Sequence, residues 1–363
     1  MSEDLSRRGF LAGLTAGGTA LALETAGGDA VVQPVHPRVE VPPTGGTIKI
    51  LLAAKLAPDE VERIRSAGRS VEVVVPRDSA ETLAAAAEAE VILGEPSAEA
   101  IRAAKRLKWV QHWAAGVERL PPVLTQHPCV LTNMQRVFAP VIAETAFALL
   151  LGLTRGLVQA SVPNFRLRKW DPAGHVPLDD LYQKTLGVVG LGGIGTEVAR
   201  RAHDGFGMKV LAVDPKPMPK PEIVAELREP AWLPEMVPQV DVLVSCAPHT
   251  RETAKLFGED VFRAMRKTAY FINVSRGALV DQEALAHALQ GGWIRGAGLD
   301  VTTPEPLPPE DPLWDCPNLV ITPHNSGSAP VRQVRLVALV AENVRRYSNG
   351  LALLNVVDKQ RGY

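Results

Sequence analysis

Three polar side chains suited to anion binding and proton transfer follow three apolar segments of the sequence. Arg276 comes after AYFINVS, Glu305 lies beyond GAGLDV, and His324 comes after NLVITP. If these segments are parallel strands, the three side chains meet at the carboxyl edge of one sheet, where ligands bind in such folds. Each residue alone also fits an ordinary surface or loop position, but their joint placement favours a functional site.

A glycine-rich segment, GLGGIG, lies upstream of these residues and has the spacing of a dinucleotide-binding loop. Gly190, Gly192 and Gly195 follow the apolar segment TLGVV, and the helical pattern TEVARRAHDGFG follows them. Such glycines allow a tight turn, close approach of a pyrophosphate and close helix packing. The helix N-terminus offers free N–H groups to the phosphates. Gly193 and Ile194, between the fingerprint glycines, are therefore also predicted to contact the cofactor.

An acidic residue at the end of the next predicted strand indicates which dinucleotide binds. Asp214 lies near the end of KVLAVDP, 19 positions after Gly195. A carboxylate here can accept the hydroxyls of the adenosine ribose and repels a 2′-phosphate, which predicts NAD rather than NADP. Lys216 is close enough in sequence to leave NADP as an alternative.

The elements that must position these residues form two series of alternating strands and helices. The first series begins at Ile48 with IKILLAA, and the second begins with TLGVVGLGGIG. Alternation of this kind predicts an α/β fold with two doubly wound, parallel-sheet domains of the Rossmann-like or flavodoxin-like type. A long apolar pattern over residues 139–158 is predicted as a helix buried between domains or subunits.

The composition excludes several classes of protein. The formal net charge is −1, with no long basic run, so nucleic acid is not an expected partner. Three widely spaced cysteines give neither a zinc pattern nor a disulfide framework, and no metal is expected. No segment after the N-terminal region is predicted to insert stably into a membrane.

The first residues have the pattern of an export signal. LSRRGFLAGLTAGGTALAL, residues 5 to 23, places Arg7 and Arg8 before a short apolar run that is rich in glycine. This pattern resembles the twin-arginine signal, which directs folded proteins to the periplasm or the exterior. The alternatives are a signal for unfolded export, or a cytoplasmic protein. Residues 1–30 are predicted as the signal and 31–46 as a Pro/Gly-rich linker.

From Ile48 to Val356 the chain resembles the D-isomer-specific 2-hydroxyacid dehydrogenases. The motifs that carry the resemblance are GLGGIG, CAPHTRETAKLFGEDVF, INVSRGALVDQEAL, GAGLDVTTPEPLP and NLVITPHNSG. The family fold inserts an NAD-binding domain into a flavodoxin-like substrate domain. The resemblance therefore implies an NAD-binding domain over residues 151–326 and a substrate domain formed by 47–150 and 327–363.

The resemblance also implies a role for each of the polar residues. Arg276 would bind the substrate, His324 would be the acid/base, and Glu305 would support His324. Two further sets of contacts are implied: Asp300 with the nicotinamide carboxamide, and the backbone of Ala115, Gly116 and Val117, in KWVQHWAAGVERL, with the substrate carboxylate.

Two positions depart from the family pattern. Gln183 stands where glycine is usual, which affects a turn. Asn325 and Ser326 follow His324 in place of the commoner Ile-Ala, beside the expected nicotinamide.

The chemistry of these residues fits the implied reaction independently. A 2-keto acid presents a carboxylate and a carbonyl, which a guanidinium can bind through its fork of donors. Reduction puts charge on the carbonyl oxygen, and a histidine can supply the proton. A carboxylate partner would stabilise the imidazolium.

The sequence thus predicts an NAD(H)-dependent oxidoreductase that interconverts a small 2-keto acid and its D-2-hydroxy acid. The alternative is a non-catalytic dinucleotide-sensing or scaffold protein on the same fold. The apolar pattern over residues 139–158 predicts a homodimer.

Overall fold

A computed structural model describes residues 41, 43, 45–171 and 177–363 of the chain. The predicted export signal over residues 1–30 and most of the predicted linker lie outside the described residues. Both therefore stay predictions.

The first sheet has five parallel strands in the order β2-β1-β3-β4-β5. This is the strand order of flavodoxin-like folds, as predicted. The strands are β1 Ile48–Ala53, β2 Val71–Val74, β3 Val91–Gly94, β4 Trp109–Gln111 and β5 Val130–Thr132.

The second sheet has seven parallel strands in the order β12-β11-β10-β9-β6-β7-β8. Numbered from its own first strand, this is the Rossmann order with one strand added at an edge. The strands are β6 Thr185–Val189, β7 Lys209–Val213, β8 Glu226–Arg228, β9 Val242–Ser245, β10 Tyr270–Asn273, β11 Gly296–Leu299 and β12 Leu319–Ile321.

Helices cover both faces of each sheet, which confirms the predicted doubly wound α/β architecture. Because both faces are covered, β3, β9, β10 and β11 are buried at every residue, as is usual for parallel strands. The helices are α1 Pro58–Ala67, α2 Ser79–Glu88, α3 Ala98–Ala103, α4 Pro122–Gln126, α5 Ala139–Thr154, α6 Val162–Arg166, α7 Gly193–Arg200, α8 Leu233–Met236, α9 Glu259–Ala264, α10 Gln282–Gln290 and α11 Arg332–Ser348.

The last helix, α11, returns to the first sheet and packs against α1. The ring of Tyr347 on α11 lies 5.4 Å from that of Trp109 on β4. Asn343, which is fully buried, donates to Gln111 Oε1 at 2.9 Å and accepts from the Leu354 N–H at 2.8 Å. Because a buried amide needs all its partners, this pairing fixes α11 on the first sheet.

The apolar helix predicted over residues 139–158 is shorter than expected. It ends at Thr154, and Gly156 follows in the left-handed region with φ +63°. A wide helical turn then runs from Leu157 to Ser161. The helix α5 packs mainly against α7 and β11 of the second sheet, and Ile142 also contacts the core of the first sheet, so the predicted subunit contact of this helix stays a prediction.

The domain boundaries stay a prediction. The predicted boundary between residues 150 and 151 falls within α5, whose buried side chains belong to the core of the second sheet. Among the described helices, none alone has the length and apolar content to cross a membrane. The helices Ala139–Thr154 and Leu157–Arg166 have that length and apolar content only when they are taken together, across a 62° bend.

Gln183, which stands where the family pattern has glycine, lies in a turn whose backbone is left-handed at this residue. Gln183 has φ +60°, and its N–H donates to the Gly207 carbonyl at 3.3 Å. Its side chain is exposed. Left-handed backbone costs a non-glycine residue roughly 1–2 kcal/mol, so the glutamine carries a local cost that glycine would not.

We expect Gln183→Gly to raise the free energy of unfolding of the full chain. Relief of the left-handed backbone, less the entropy that glycine adds to the unfolded chain, leaves about 0.5–1 kcal/mol. Urea denaturation followed by circular dichroism measures the change. Gln183→Ala is the matched control, because alanine keeps the backbone cost and should leave stability nearly unchanged. Equal stabilisation by both variants would place the effect in the side chain.

Candidate active site

The site lies in the crevice where the second sheet reverses its strand order. The chain proceeds from β6 through β7 to β8 on one side, and β9 begins the other side directly beside β6. In doubly wound folds this switch point opens a crevice at the carboxyl ends of the strands, and ligands bind there. The predicted functional residues of the second sheet all follow the carboxyl ends of its strands.

The glycine-rich loop after β6 has the geometry that its fingerprint predicts. Gly190 has φ +91°, and a Cβ there would lie 2.8 Å from the backbone of Ala247. A Cβ on Gly195 would lie 2.0 Å from the Gly190 carbonyl oxygen, so neither position accepts a side chain. A Cβ on Gly192 would meet nothing within 4 Å. This open side of Gly192 and the N-terminus of α7 leave room for a pyrophosphate.

Asp214, at the carboxyl end of β7, is fixed beside the glycine-rich loop. Its carboxylate accepts from the Leu191 N–H and from the Lys216 N–H, both at 2.8 Å. Burial raises the pKa of Asp214, and the two backbone donors oppose that rise. The side chain therefore lies against the loop, in the position where a ribose acceptor is predicted.

His324 and Glu305, from two separate loops, meet directly. His324 Nδ1 lies 2.8 Å from Glu305 Oε2, and the exposed fractions of the two side chains are 43% and 28%. Because an ionised carboxylate only accepts, Nδ1 is assigned as the protonated nitrogen, which leaves Nε2 to face a ligand. Glu305 Oε1 accepts from the Thr302 N–H at 3.2 Å. The predicted acid/base pair is thus assembled and oriented.

The loop that carries His324 is anchored on the buried carboxylate of Asp300. Asp300 Oδ1 accepts from Thr322 Oγ1 at 2.7 Å and from the Asn325 N–H at 3.2 Å, and Oδ2 accepts from the Ser326 N–H at 3.2 Å. The Asp300 carbonyl accepts from the His324 N–H at 2.8 Å. The contact of Asp300 with a nicotinamide stays a prediction, whereas its role in holding this loop was not predicted.

Arg276, after β10, reaches the first domain. Its Nη1 donates to the Ser275 carbonyl at 2.7 Å, and its Nε lies 3.2 Å from Glu118 Oε1. Glu118 follows the predicted substrate loop and was missed in the sequence. Its position directly after AAGV was the available signal. The ion pair joins the two domains across the crevice.

The predicted substrate loop lies beside Arg276 and has unused donors. A Cβ on Gly116 would lie 2.1 Å from Arg276 Nη2, so the backbone and the guanidinium are in close approach. Within residues 45–171 and 177–363, no acceptor receives a hydrogen bond from the backbone N–H groups of Ala115, Gly116 and Val117. Free N–H groups beside a guanidinium form a suitable site for a carboxylate.

Close backbone packing connects the Arg276 loop with the Glu305 loop. A Cβ on Gly277 would lie 2.1 Å from the Thr302 carbonyl group. Since Thr302 also donates to Glu305, the loops after β10 and β11 are held together. The described residues contain no group of three or more His, Cys, Asp or Glu side chains that could hold a metal ion.

A protein-family model matches residues 147–326 of the chain, and its description is "D-isomer specific 2-hydroxyacid dehydrogenase, NAD binding domain". Among curated relatives, the glyoxylate reductase of Korarchaeum cryptofilum is 38% identical over 267 residues, which cover 72% of this chain and 79% of the relative. The glyoxylate reductase of Thermococcus kodakarensis is 35% identical over 271 residues, with coverages of 72% and 80%.

Solved structures show the same fold. The TT0316 protein from Thermus thermophilus is 34% identical with a TM-score of 0.66, covering 85% of this chain and 99% of that chain. A D-isomer specific 2-hydroxyacid dehydrogenase from Xanthobacter autotrophicus Py2, solved with NADPH and MES, is 26% identical with a TM-score of 0.71. That alignment covers 88% of this chain and all of the other.

We expect Asp300→Asn to disturb the His324 loop. The asparagine Nδ2 cannot accept, so a buried N–H group loses its partner, at a cost of about 1–3 kcal/mol in unfolding free energy. Displacement of His324 by even about 1 Å would lower kcat/KM about 100-fold. Denaturation and steady-state kinetics measure the two effects.

Thr322→Val is the control for Asp300→Asn, because it removes one donor from Asp300 and keeps the side-chain shape. It should give a smaller loss in both measurements. Wild-type stability and kcat/KM in Asp300→Asn would show that the loop is held by other contacts.

Proposed function

Because the chain belongs to the D-isomer specific 2-hydroxyacid dehydrogenase family, we propose that it reduces a small 2-keto acid with NADH. Glyoxylate is the first candidate, since relatives at 35–38% identity are named glyoxylate reductases. Chiral products would have the D configuration.

One observation carries the proposal most directly: the His324–Glu305 pair lies at the carboxyl edge of a sheet that also carries a dinucleotide loop. The 2.8 Å contact fixes the imidazole and leaves Nε2 free. Arg276, from the neighbouring loop, faces the free backbone donors of the first domain. A proton donor and a carboxylate site are the two groups that reduction of a 2-keto acid requires.

Arg276 and the loop Ala115–Val117 would bind the substrate carboxylate. The guanidinium already has Nη1 on Ser275 and Nε beside Glu118, which orients the remaining donors toward Gly116. Because the carboxylate would be shared between side-chain and backbone donors, its position in the crevice is well defined. The carbonyl group of the bound acid can then be presented to His324.

His324 would supply the proton to the carbonyl oxygen. When bound, the nicotinamide of NADH supplies the hydride to the carbonyl carbon. Protonated His324 gives up the Nε2 proton to the oxygen as negative charge develops there. Glu305 compensates the imidazolium before transfer and keeps the ring in one orientation afterwards.

The residues present fit a bound dinucleotide. Gly192 leaves open space in front of the N-terminus of α7, and Gly190 and Gly195 allow the tight turn. Asp214 would accept the ribose hydroxyls in addition to its two backbone donors. Since the Asp214 carboxylate also repels a 2′-phosphate, we propose NADH as the preferred cofactor.

A panel of glyoxylate, hydroxypyruvate, pyruvate and phenylpyruvate tests the substrate proposal. NADH oxidation should give the highest kcat/KM with glyoxylate, and pyruvate should yield D-lactate. A chain that binds NADH but turns over none of the four acids would instead support the dinucleotide-sensing or scaffold alternative.

We expect two substitutions to remove activity without loss of NADH binding. Arg276→Lys keeps the charge and loses the paired donors, at a cost of about 2–5 kcal/mol, or about 30-fold to several thousand-fold in kcat/KM. His324→Asn should lower kcat by about 100- to 10,000-fold. Asparagine also tolerates the left-handed backbone conformation at residue 324, where φ is +50°.

Matched controls separate these effects from general damage. Arg263→Lys on α9 changes an exposed arginine paired with Glu259, and His287→Asn changes an exposed histidine on α10. Both should keep wild-type kinetics. Wild-type kcat/KM in Arg276→Lys or His324→Asn would remove that residue from the proposed mechanism.

We also propose a homodimer that uses the segment after α5. Phe165, Leu167 and Trp170 are 83%, 75% and 93% exposed, in a run that links α5 to the second sheet. Large apolar side chains grouped at the surface are typical of protein–protein contacts. This segment, rather than α5, therefore supports the subunit interface.

We expect Phe165→Asp combined with Trp170→Asp to convert a dimer to single chains, because a charge in an apolar contact is left without a partner. Light scattering after gel filtration measures the mass. Val75→Asp, at a side chain that is 52% exposed beyond β2, is the control and should stay dimeric. A single-chain mass for the wild type would refute the dimer. A double variant that is still dimeric would show that the interface lies elsewhere.

A further inference from the structure

Arg136 lies in the turn between the first sheet and α5. The Val137 N–H donates to the Met134 carbonyl at 3.3 Å, which closes a four-residue turn with Arg136 at its third position. Arg136 has φ +70°, in the left-handed region that favours glycine. An arginine is thus held in a backbone conformation that its own side chain disfavours.

The side chain of Arg136 lies over the glycine-rich loop of the other domain. A Cβ built on Gly193 would lie 2.7 Å from Arg136 Cγ and 3.1 Å from Arg136 Cα. Arg136 therefore fills the space that a side chain at residue 193 would take. Gly193 is also the first residue of α7, where the free N–H groups of the helix are exposed.

The guanidinium of Arg136 is partly buried, and in the part of the chain that the structure describes it forms neither a hydrogen bond nor an ion pair. Burial lowers the pKa of Arg136. Burial also lowers the pKa of Lys216. Attraction to Asp214 and Asp358 opposes that effect, and smaller repulsions from Arg361 and Arg136 add to it. Two cations thus lie near each other at the cofactor loop.

An uncompensated guanidinium and the free N–H groups of a helix N-terminus both favour an anion. Both features meet at Gly193, and the family of the chain binds a dinucleotide on this domain. Among the described residues, Asp214 accepts from the Leu191 and Lys216 N–H groups, and no ion pair or hydrogen bond joins it to Arg136. The group that completes this environment is therefore a phosphate of the cofactor.

We propose that Arg136 binds the pyrophosphate of the dinucleotide from the first domain, opposite the N–H groups of the glycine-rich loop. The inference rests on the proposed placement of the dinucleotide on that loop. It assigns the pyrophosphate rather than a 2′-phosphate, because Arg136 contacts the start of α7 and not the end of β7. The bound cofactor would then connect the two domains through one side chain.

Binding of nucleotide fragments to the full chain tests the assignment without any turnover. Isothermal titration with ADP-ribose, AMP and 2′,5′-ADP compares the wild type with Arg136→Gly, which suits the left-handed backbone and removes the guanidinium. We expect the affinity for ADP-ribose to fall about 10- to 100-fold, the range of a hydrogen bond to a charged group. The affinity for AMP should fall much less, and the ratio of 2′,5′-ADP to AMP should stay constant.

Two further variants keep the test decisive. Arg136→Lys retains the charge and should recover part of the ADP-ribose affinity. Arg332→Gly removes a nearby guanidinium that stacks on Phe138, 4.8 Å from the ring centroid, and should bind all three fragments like the wild type. Thermal unfolding of each variant reports whether the fold is retained.

Each outcome of the titrations has one meaning. Unchanged ADP-ribose affinity in a folded Arg136→Gly variant would overturn the assignment, as would equal weakening of all three fragments. A loss confined to 2′,5′-ADP would overturn it by moving the guanidinium to the ribose phosphate. Failure of the wild type to bind ADP-ribose would instead refute the proposed dinucleotide site.

Discussion

The buried carboxylate of Asp300 sets the position of the loop on which the proposed chemistry depends. Its two oxygens accept from Thr322, Asn325 and Ser326, and its carbonyl accepts from the His324 N–H. His324 has a left-handed backbone, which is costly unless the surroundings enforce it. Because the carboxylate is 1% exposed, water does not compete for these donors. The backbone that carries His324 to Glu305 is therefore held in place by its hydrogen bonds to Asp300.

Local signals were sufficient for much of the fold and for the residues at the strand ends. The glycine spacing of GLGGIG and the alternation of strand and helix patterns have direct physical causes, and the family resemblance supplied the domain insertion. Because parallel strands share one carboxyl edge, Glu305 and His324 could be expected to meet. The contacts of Arg276 with Glu118 and of Arg136 with Gly193 could not, since each joins two domains. No pattern within one segment encodes such an approach.

The end of α5 shows where an apolar pattern misleads. The sequence continues apolar through Val158, but a left-handed Gly156 ends the helix, and the segment beyond it turns outward. A helix buried within a domain and a surface that binds another chain both favour apolar side chains. Hydrophobicity therefore predicts that such residues are covered. Only the structure shows that α7 is one of the elements that cover α5. Trp170, beyond the end of α5, is covered by no described element of its own chain.

The return of α11 to the first sheet has a consequence for the order in which the chain is made. A ribosome synthesises the whole of the second domain before it reaches Arg332–Ser348. Until then the first sheet lacks the helix that covers Trp109, and Gln111 lacks the Asn343 amide. An incompletely covered parallel sheet exposes apolar surface that other chains can bind. The apolar core of the first domain is therefore completed only when α11 has been made, whereas all strands of the second domain precede that helix in the chain.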